Sequence, residues 1–123
     1  MGTPAELQTL LTNAIGYFNS HDIQNLMSCM DQEVTVYSLT GHLGYHPKHA
    51  VKAYFQQQFQ DHPNFTLLTS SSLFNSGYTG AAVIGKATWK DDNRTETIIF
   101  SFTFLYKTVG GVNQWLFSSL WGS

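Results

Sequence analysis

Histidine is the residue type in this sequence best suited to chemistry at neutral pH, and three of the five histidines lie in GHLGYHPKHA, residues 41–50. His46 and His49 are three residues apart across a predicted helix start, a spacing at which two imidazoles can share a metal ion. No cysteine or acidic residue stands beside them to complete the three or four ligands of a closed site. We therefore expect no metal and no other cofactor.

His42 is the one histidine of this segment that we take as a candidate catalytic residue. Histidine titrates near neutral pH and can act as a general acid or base. A histidine flanked by glycines in a loop is equally compatible with a solvated polar residue. Both interpretations of His42 stay open, and the segment as a whole is typical of a glycine-hinged turn that leads into a helix.

Aromatic side chains form the second group of candidates. Such residues can form the walls of a cavity that binds a flat hydrophobic molecule, and they can equally pack a core or a subunit interface. The aromatic residues in question are Tyr37, Tyr54, Trp89, Tyr106, Trp115, Phe117 and Trp121.

The composition argues against several classes of partner. The chain has 123 residues, the length of a single domain with a substantial core, and we assign residues 1–123 to one domain. Charged residues make up only 11% of it, and a net charge of −2 leaves no basic surface for nucleic acid or an anionic membrane. Cys29 is the only cysteine and lies in an apolar helical pattern, which predicts a small core residue.

The first residues, MGTPAELQ, lack the basic patch and the long apolar run of a signal peptide. No stretch of the sequence approaches the length of a membrane span. We therefore expect a cytoplasmic protein with no membrane partner.

Three amphipathic helices are predicted in the first half of the chain. Thr3 can cap the first, with Pro4 in the first helical position and Glu6 completing a capping box. Ser20 can cap the second helix, and Pro47 begins the third, which ends near residues 62–63. The apolar stripes of the three helices are Leu7, Leu10, Leu11, Ala14, Ile15 and Phe18; Ile23, Leu26, Met27 and Met30; and Val51, Tyr54, Phe55 and Phe59.

Strands account for the rest of the sequence. From Glu33 the apolar period becomes two, and VTVYSL indicates a first strand. After the third helix, turn signals at hairpin spacing separate four further strands, which predicts an antiparallel meander. These strands are predicted over residues 65–74, 78–90, 95–108 and 113–121.

The strand TIIFSFTFLY, residues 97–106, has apolar residues on both of its faces. Ile98, Phe100 and Phe102 point one way, while Ser101 and Thr103 point the other with further apolar neighbours. A sheet with one solvated face would alternate more cleanly. We expect the helices to cover one face of the sheet and a second subunit to cover the other.

This order of elements resembles the NTF2-like superfamily, which includes SnoaL-like cyclases, ketosteroid isomerases and the association domains of certain kinases. The resemblance rests on FNSHDIQNLMSCMDQEVTVYSL, on GYHPKHAVKAYF and on the final WLFSSLWGS. It implies an α+β fold in which a curved, mainly antiparallel sheet wraps around three N-terminal helices and forms a cone with an apolar cavity. A hotdog-type sandwich is the main rival fold, and the two short N-terminal helices argue against it.

The resemblance also implies where catalytic groups would lie. Isomerase-like members hold a carboxylate base at the end of the first strand, a phenol on the first helix and a carboxylic acid on a late strand. The corresponding residues here are Ser38 and Ala14, with Ser101 and Thr103 where the acid would lie. We therefore expect no inward-facing acid and no paired-carboxylate chemistry.

We predict that the chain forms a homodimer and binds a small hydrophobic molecule in its cone. A mild acid–base conversion of that molecule would extend this function. Trp121 is the best pocket candidate, because the family often places an aromatic residue there. The alternative function is a non-catalytic assembly domain, like the kinase association domains. The residues predicted to line the ligand pocket are Tyr37, Ser38, Tyr54, Trp89, Ser101, Thr103 and Trp121.

Overall fold

The computed structural model describes residues 3–38, 43–64, 66–76, 79–92 and 94–122. The described elements are α1 (Pro4–Asn19), α2 (Ile23–Ser28), β1 (Met30–Ser38), β2 (Leu43–Tyr45), α3 (Lys48–Asp61), β3 (Thr66–Ser76), β4 (Gly80–Asp91), β5 (Arg94–Val109) and β6 (Val112–Gly122).

A six-stranded sheet with the order β2-β1-β6-β5-β4-β3 forms one layer of the molecule. β1 and β6 are parallel, and every other neighbouring pair of strands is antiparallel. Register shifts interrupt the β1–β6, β3–β4 and β5–β6 pairings, and irregularities of this kind bend the strands that carry them. The α+β class with three helices and a mainly antiparallel sheet is confirmed.

The start of α1 follows the predicted capping pattern. The Glu6 N–H donates to the Thr3 hydroxyl over 3.2 Å, and Pro4 is the first helical residue. The Trp115 indole N–H on β6 donates to the Thr3 carbonyl over 3.3 Å, which joins the cap to the sheet. This helix start therefore combines a local capping signal with a long-range contact.

Several predicted boundaries need correction. Asp22, not Ser20, caps α2 by accepting a hydrogen bond from the Asn25 N–H over 3.2 Å. β1 begins at Met30, three residues before the predicted start at Glu33. α3 begins at Lys48, so Pro47 is its N-cap residue. The short strand β2 lies within the segment that we predicted as a turn, because it pairs with the end of β1.

The core lies between the sheet and the helices. Leu7 and Leu11 of α1 pack with Val51 of α3 against buried residues of the sheet such as Phe104 and Phe117. Cys29 is buried in the same cluster, as predicted, and burial raises the pKa of its thiol. Among the helices in the described ranges, none is long and apolar enough to cross a membrane.

Candidate functional site

A cavity of about 320 Å³ lies between the helices and the sheet. α1 contributes Leu11 and Ala14 to its wall, at the spacing that places them on one helical face. β5 contributes Phe100 and Phe102, which alternate to one side of the strand. Phe117 of β6 completes this apolar part of the wall. Ala14 is the residue that the family resemblance aligns with a phenol, and its small side chain leaves space in the hollow.

Several of the apolar residues of the wall are buried, whereas the polar ones are all partly exposed. They are Tyr37, Tyr54, Gln58, Trp89, Glu96 and Trp121. The apolar residues Leu11, Ala14 and Phe100 are only 2–4% exposed. The cavity is thus apolar in its depth and polar towards solvent.

Tyr54 of α3 contributes a phenol to this wall. Burial raises the pKa of its hydroxyl, and the neighbouring Tyr45 raises it further. The two rings lie with their centroids 4.4 Å apart. The Tyr54 hydroxyl therefore stays protonated at neutral pH and can donate a hydrogen bond.

Tyr37 and Trp121 meet at the edge of the cavity, where β1 and β6 end side by side. Their rings stack with centroids 4.4 Å apart and planes 19° from parallel. Both side chains are about 40% exposed, at 40% and 39%. Trp121 is in register with Ser101 and Tyr37 with Trp121, so both rings project from the face of the sheet opposite to Phe100 and Phe102, at the edge of the hollow that Tyr54 and Trp89 line. Their contact with a ligand stays a prediction.

Ser101 and Thr103, two of the predicted pocket residues, are not part of the cavity wall. The even-numbered residues Phe100 and Phe102 face the cavity, so the odd-numbered ones project from the opposite face of β5. On that face, the Thr103 hydroxyl hydrogen-bonds the Ser119 hydroxyl over 2.5 Å. Ser38 is paired through its backbone with Leu43 and Gly122, and its side chain lies outside the described part of the structure.

Glu96 corrects the expectation of a hollow without an inward-facing acid. It lies two residues after the start of β5, on the same face as Phe100, and is part of the cavity wall. The Arg94 guanidinium forms an ion pair with its carboxylate. The sequence does contain a signal for this placement. Alternate residues of a strand lie on one face, so Glu96 shares a face with Ile98 and Phe100.

The histidines fall outside the cavity wall or outside the described residues. His42 lies outside the described residues, so its role stays a prediction. His46 has its Nδ1 2.9 Å from the Thr35 hydroxyl and its Nε2 3.2 Å from a Glu33 carboxylate oxygen. Within the ranges described, no group of three histidine, cysteine or acidic residues could hold a metal ion.

His62 makes a contact that we did not predict from the sequence. It follows α3, and its Nδ1 lies 2.7 Å from a carboxylate oxygen of Asp91 at the end of β4. The Asp92 N–H and His62 both hydrogen-bond this carboxylate and lower the pKa of Asp91. The His62 ring also meets the edge of Trp89, with centroids 5.9 Å apart. This pair therefore braces the wall residue Trp89 from outside the cavity.

Comparison with known proteins identifies the fold. No family model and no curated protein matches the sequence. An NTF2-like protein of unknown function from Pseudomonas putida has a similar structure, with a TM-score of 0.86 and 14% identity over 100% of this chain and 88% of that one.

Two further similar structures carry names that point in different functional directions. A putative SnoaL-like polyketide cyclase from Shewanella denitrificans has a TM-score of 0.67 and 16% identity, covering 98% of this chain and 90% of its own. A putative calcium/calmodulin-dependent protein kinase type II association domain from Thiobacillus denitrificans has a TM-score of 0.80 and 13% identity, covering 100% and 95%. The order of elements, the sheet and these likenesses together show that the chain has the NTF2-like fold.

Proposed function

We propose that this chain binds a small, mainly apolar molecule in the cavity between its helices and its sheet. The observation that carries the proposal is the hollow of about 320 Å³ that Ala14 helps to line, with an apolar depth and a polar rim. Ligand pockets have volumes of roughly 300–1,000 Å³, so this one suits a ligand at the small end of the range. A core packed only for stability would fill such a space, because an empty hollow forfeits contacts.

The cavity also supports a mild acid–base step on such a ligand. Tyr54 offers a protonated hydroxyl, and Glu96 offers a carboxylate in the same wall. The similar structure named as a putative SnoaL-like polyketide cyclase supports a small-molecule role for the fold. Binding is the primary function in this proposal, and conversion is its extension.

Filling the cavity tests the proposal. Ala14→Phe places a ring in the hollow, and we expect it to weaken the binding of octanol at least about tenfold while the melting temperature is kept or raised, since the added side chain fills empty space. Binding can be followed by tryptophan emission, because Trp89 lies in the wall.

Ala5→Phe is the matched control, because Ala5 is exposed in the first turn of the same helix. It should bind octanol as the unchanged protein does. If octanol fails to bind the unchanged protein, or binds Ala14→Phe equally well with the fold intact, the proposal is wrong.

A homo-oligomeric assembly domain is the second candidate function. The observation that favours it is a set of exposed apolar side chains on the face of the sheet opposite the cavity. Ile84 is 55% exposed there and lies in register with Ser101, which in turn lies beside Trp121. Apolar residues grouped on a sheet face are typical of an interface between subunits. The similar structure named as a putative kinase association domain agrees with this candidate.

A further inference from the structure

We propose that the polar rim of the cavity contains a subsite for an organic cation, which the protein's own Arg94 occupies when no ligand is bound. The preferred ligand is then an alkylammonium compound, with its apolar chain in the hollow and its charged end at Glu96. This inference rests on the cavity-binding function proposed above and adds the chemical class of the ligand.

The subsite combines an aromatic face with a carboxylate. Trp89 of β4 and Glu96 of β5 are direct cross-strand partners, and both lie in the cavity wall. A tryptophan face attracts cations through its quadrupole, and a carboxylate adds a charge-assisted hydrogen bond. These are the two kinds of group that recognise an ammonium ion, and the structure places them side by side at the end of an apolar hollow.

Arg94 shows that a cation already fits this subsite. Its guanidinium carbon lies 5.4 Å from the centroid of the Trp89 ring, within the distance of an effective cation–π contact. The same guanidinium forms the ion pair with Glu96. One cation therefore uses both recognition groups at once, as a bound alkylammonium group would.

A ligand can displace the Arg94 guanidinium, because its ion pair with Glu96 is exposed to solvent. The Arg94 side chain is 64% exposed and that of Glu96 is 49% exposed, so their ion pair is screened by water and contributes little to stability. An ammonium group tethered to a chain inside the hollow gains the burial energy of that chain in addition. The tethered cation can therefore displace the guanidinium at modest cost.

A series of ligands with one chain and different head groups tests the subsite. Octylamine, octanol and octanoate should be titrated near neutral pH, with tryptophan emission or calorimetry as the readout. We expect octylamine to bind about tenfold more tightly than octanol, since a tenfold ratio is what one half-exposed charge-assisted contact supplies, and octanoate to bind most weakly.

Two substitutions should change the preference in opposite directions. Glu96→Gln removes the carboxylate and should weaken octylamine binding about tenfold more than it weakens octanol binding. Arg94→Gln removes the internal competitor and should tighten octylamine binding about threefold or more, because no guanidinium then competes for Trp89 and Glu96. An anion subsite at Arg94 would give the reverse, with weaker octanoate binding in Arg94→Gln.

The controls separate this effect from a general change of charge. Lys90→Gln removes one positive charge from the same hairpin, as Arg94→Gln does, but on the face opposite the cavity. Glu33→Gln removes a carboxylate, as Glu96→Gln does, but on β1 outside the cavity wall. Both should keep the octylamine preference. If octanol binds but octylamine is not preferred, or if Arg94→Gln weakens octylamine binding, the cation subsite is wrong and cavity binding stands. If no member of the series binds the unchanged protein, both proposals are wrong.

Discussion

Asn19 shows how a single residue can position the cavity wall. It ends α1, and its side-chain amide donates to the Leu67 carbonyl over 2.9 Å while its side-chain oxygen accepts from the Leu67 N–H over 2.7 Å. Leu67 is itself a wall residue of the cavity. This pair of hydrogen bonds imitates one rung of a sheet and attaches the start of β3 to the helix layer.

Removing the Asn19 amide should destabilise the protein. In Asn19→Ala the part-buried N–H and carbonyl of Leu67 lose their partners, and we expect the free energy of unfolding to fall by about 2 kcal/mol. Urea denaturation followed by circular dichroism measures this change. Asn13→Ala, an exposed position on the same helix, should cause no loss because alanine favours helix. Equal stability of the two variants would show that the Asn19 contacts carry no energy.

Asp31 and Lys107 connect two strands that are not neighbours in the sheet. Asp31 lies on β1, and Lys107 lies on β5, with β6 between them. The Asp31 residue is only 4% exposed. Burial raises the pKa of its carboxyl. The hydrogen bond from Lys107, the Glu33 N–H 3.1 Å away and the positive charge of Lys107 lower the pKa by more than burial raises it, so the net pKa of Asp31 lies below its ordinary value. The pair is therefore an acid-sensitive link between β1 and β5.

The stability that this link supplies should depend on pH in a definite direction. Because the folded pKa of Asp31 lies below its unfolded value of about 3.9, the contribution is complete well above pH 4 and is lost as the pH falls through the folded pKa. We expect the free energy of unfolding of Asp31→Asn to be about 2 kcal/mol lower than that of the unchanged protein at pH 7. The gap between the two proteins should narrow below about pH 4.

The exposed carboxylate of Asp61, at the end of α3, provides the control for this experiment. Asp61→Asn should unfold like the unchanged protein at pH 7. A gap between Asp31→Asn and the unchanged protein that persists undiminished in acid would mean that the pairing with Lys107 does not cause it.

The outer face of the sheet, opposite the cavity, is the surface that the proposed assembly function would use. We expect a homodimer at micromolar concentration, because burial of side chains such as Ile84 and Leu68, 55% and 66% exposed, removes apolar surface from water. Light scattering measures the mass directly. Ile84→Glu should give a monomer, since a charge would have to be desolvated in the interface.

Val112→Glu is the matched control for the dimer. Val112 is 58% exposed but begins β6 beside the β5–β6 turn, at the end of that hairpin. This variant should stay dimeric. A monomeric unchanged protein would rule out the assembly function and leave the cavity proposal as it is, because the cavity wall is formed by one chain.

Local sequence patterns were sufficient to predict most of the elements, and the errors have a common cause. The apolar stripe of α1 and its Thr3 cap depend on residues within four positions of one another, so the sequence contains all that is needed. β2 has only three residues and exists because it pairs with β1, a contact that no local pattern encodes. Asp22 replaces Ser20 as the cap because α2 begins at Ile23, two residues later than a Ser20 cap would require.

Short repeats of apolar residues were enough to predict the α+β class, the three helices and the apolar residues on both faces of β5. The packing of the helices on the sheet establishes which face of β5 lines the cavity, and therefore that Glu96, and not Ser101 or Thr103, belongs to its wall. The same packing brings Arg94 of β5 to Trp89 of the neighbouring strand β4, and Asn19 to Leu67. The physical reason is that strand register and helix docking depend on energies summed over distant contacts, whereas a local period fixes only the relative sides of neighbouring residues.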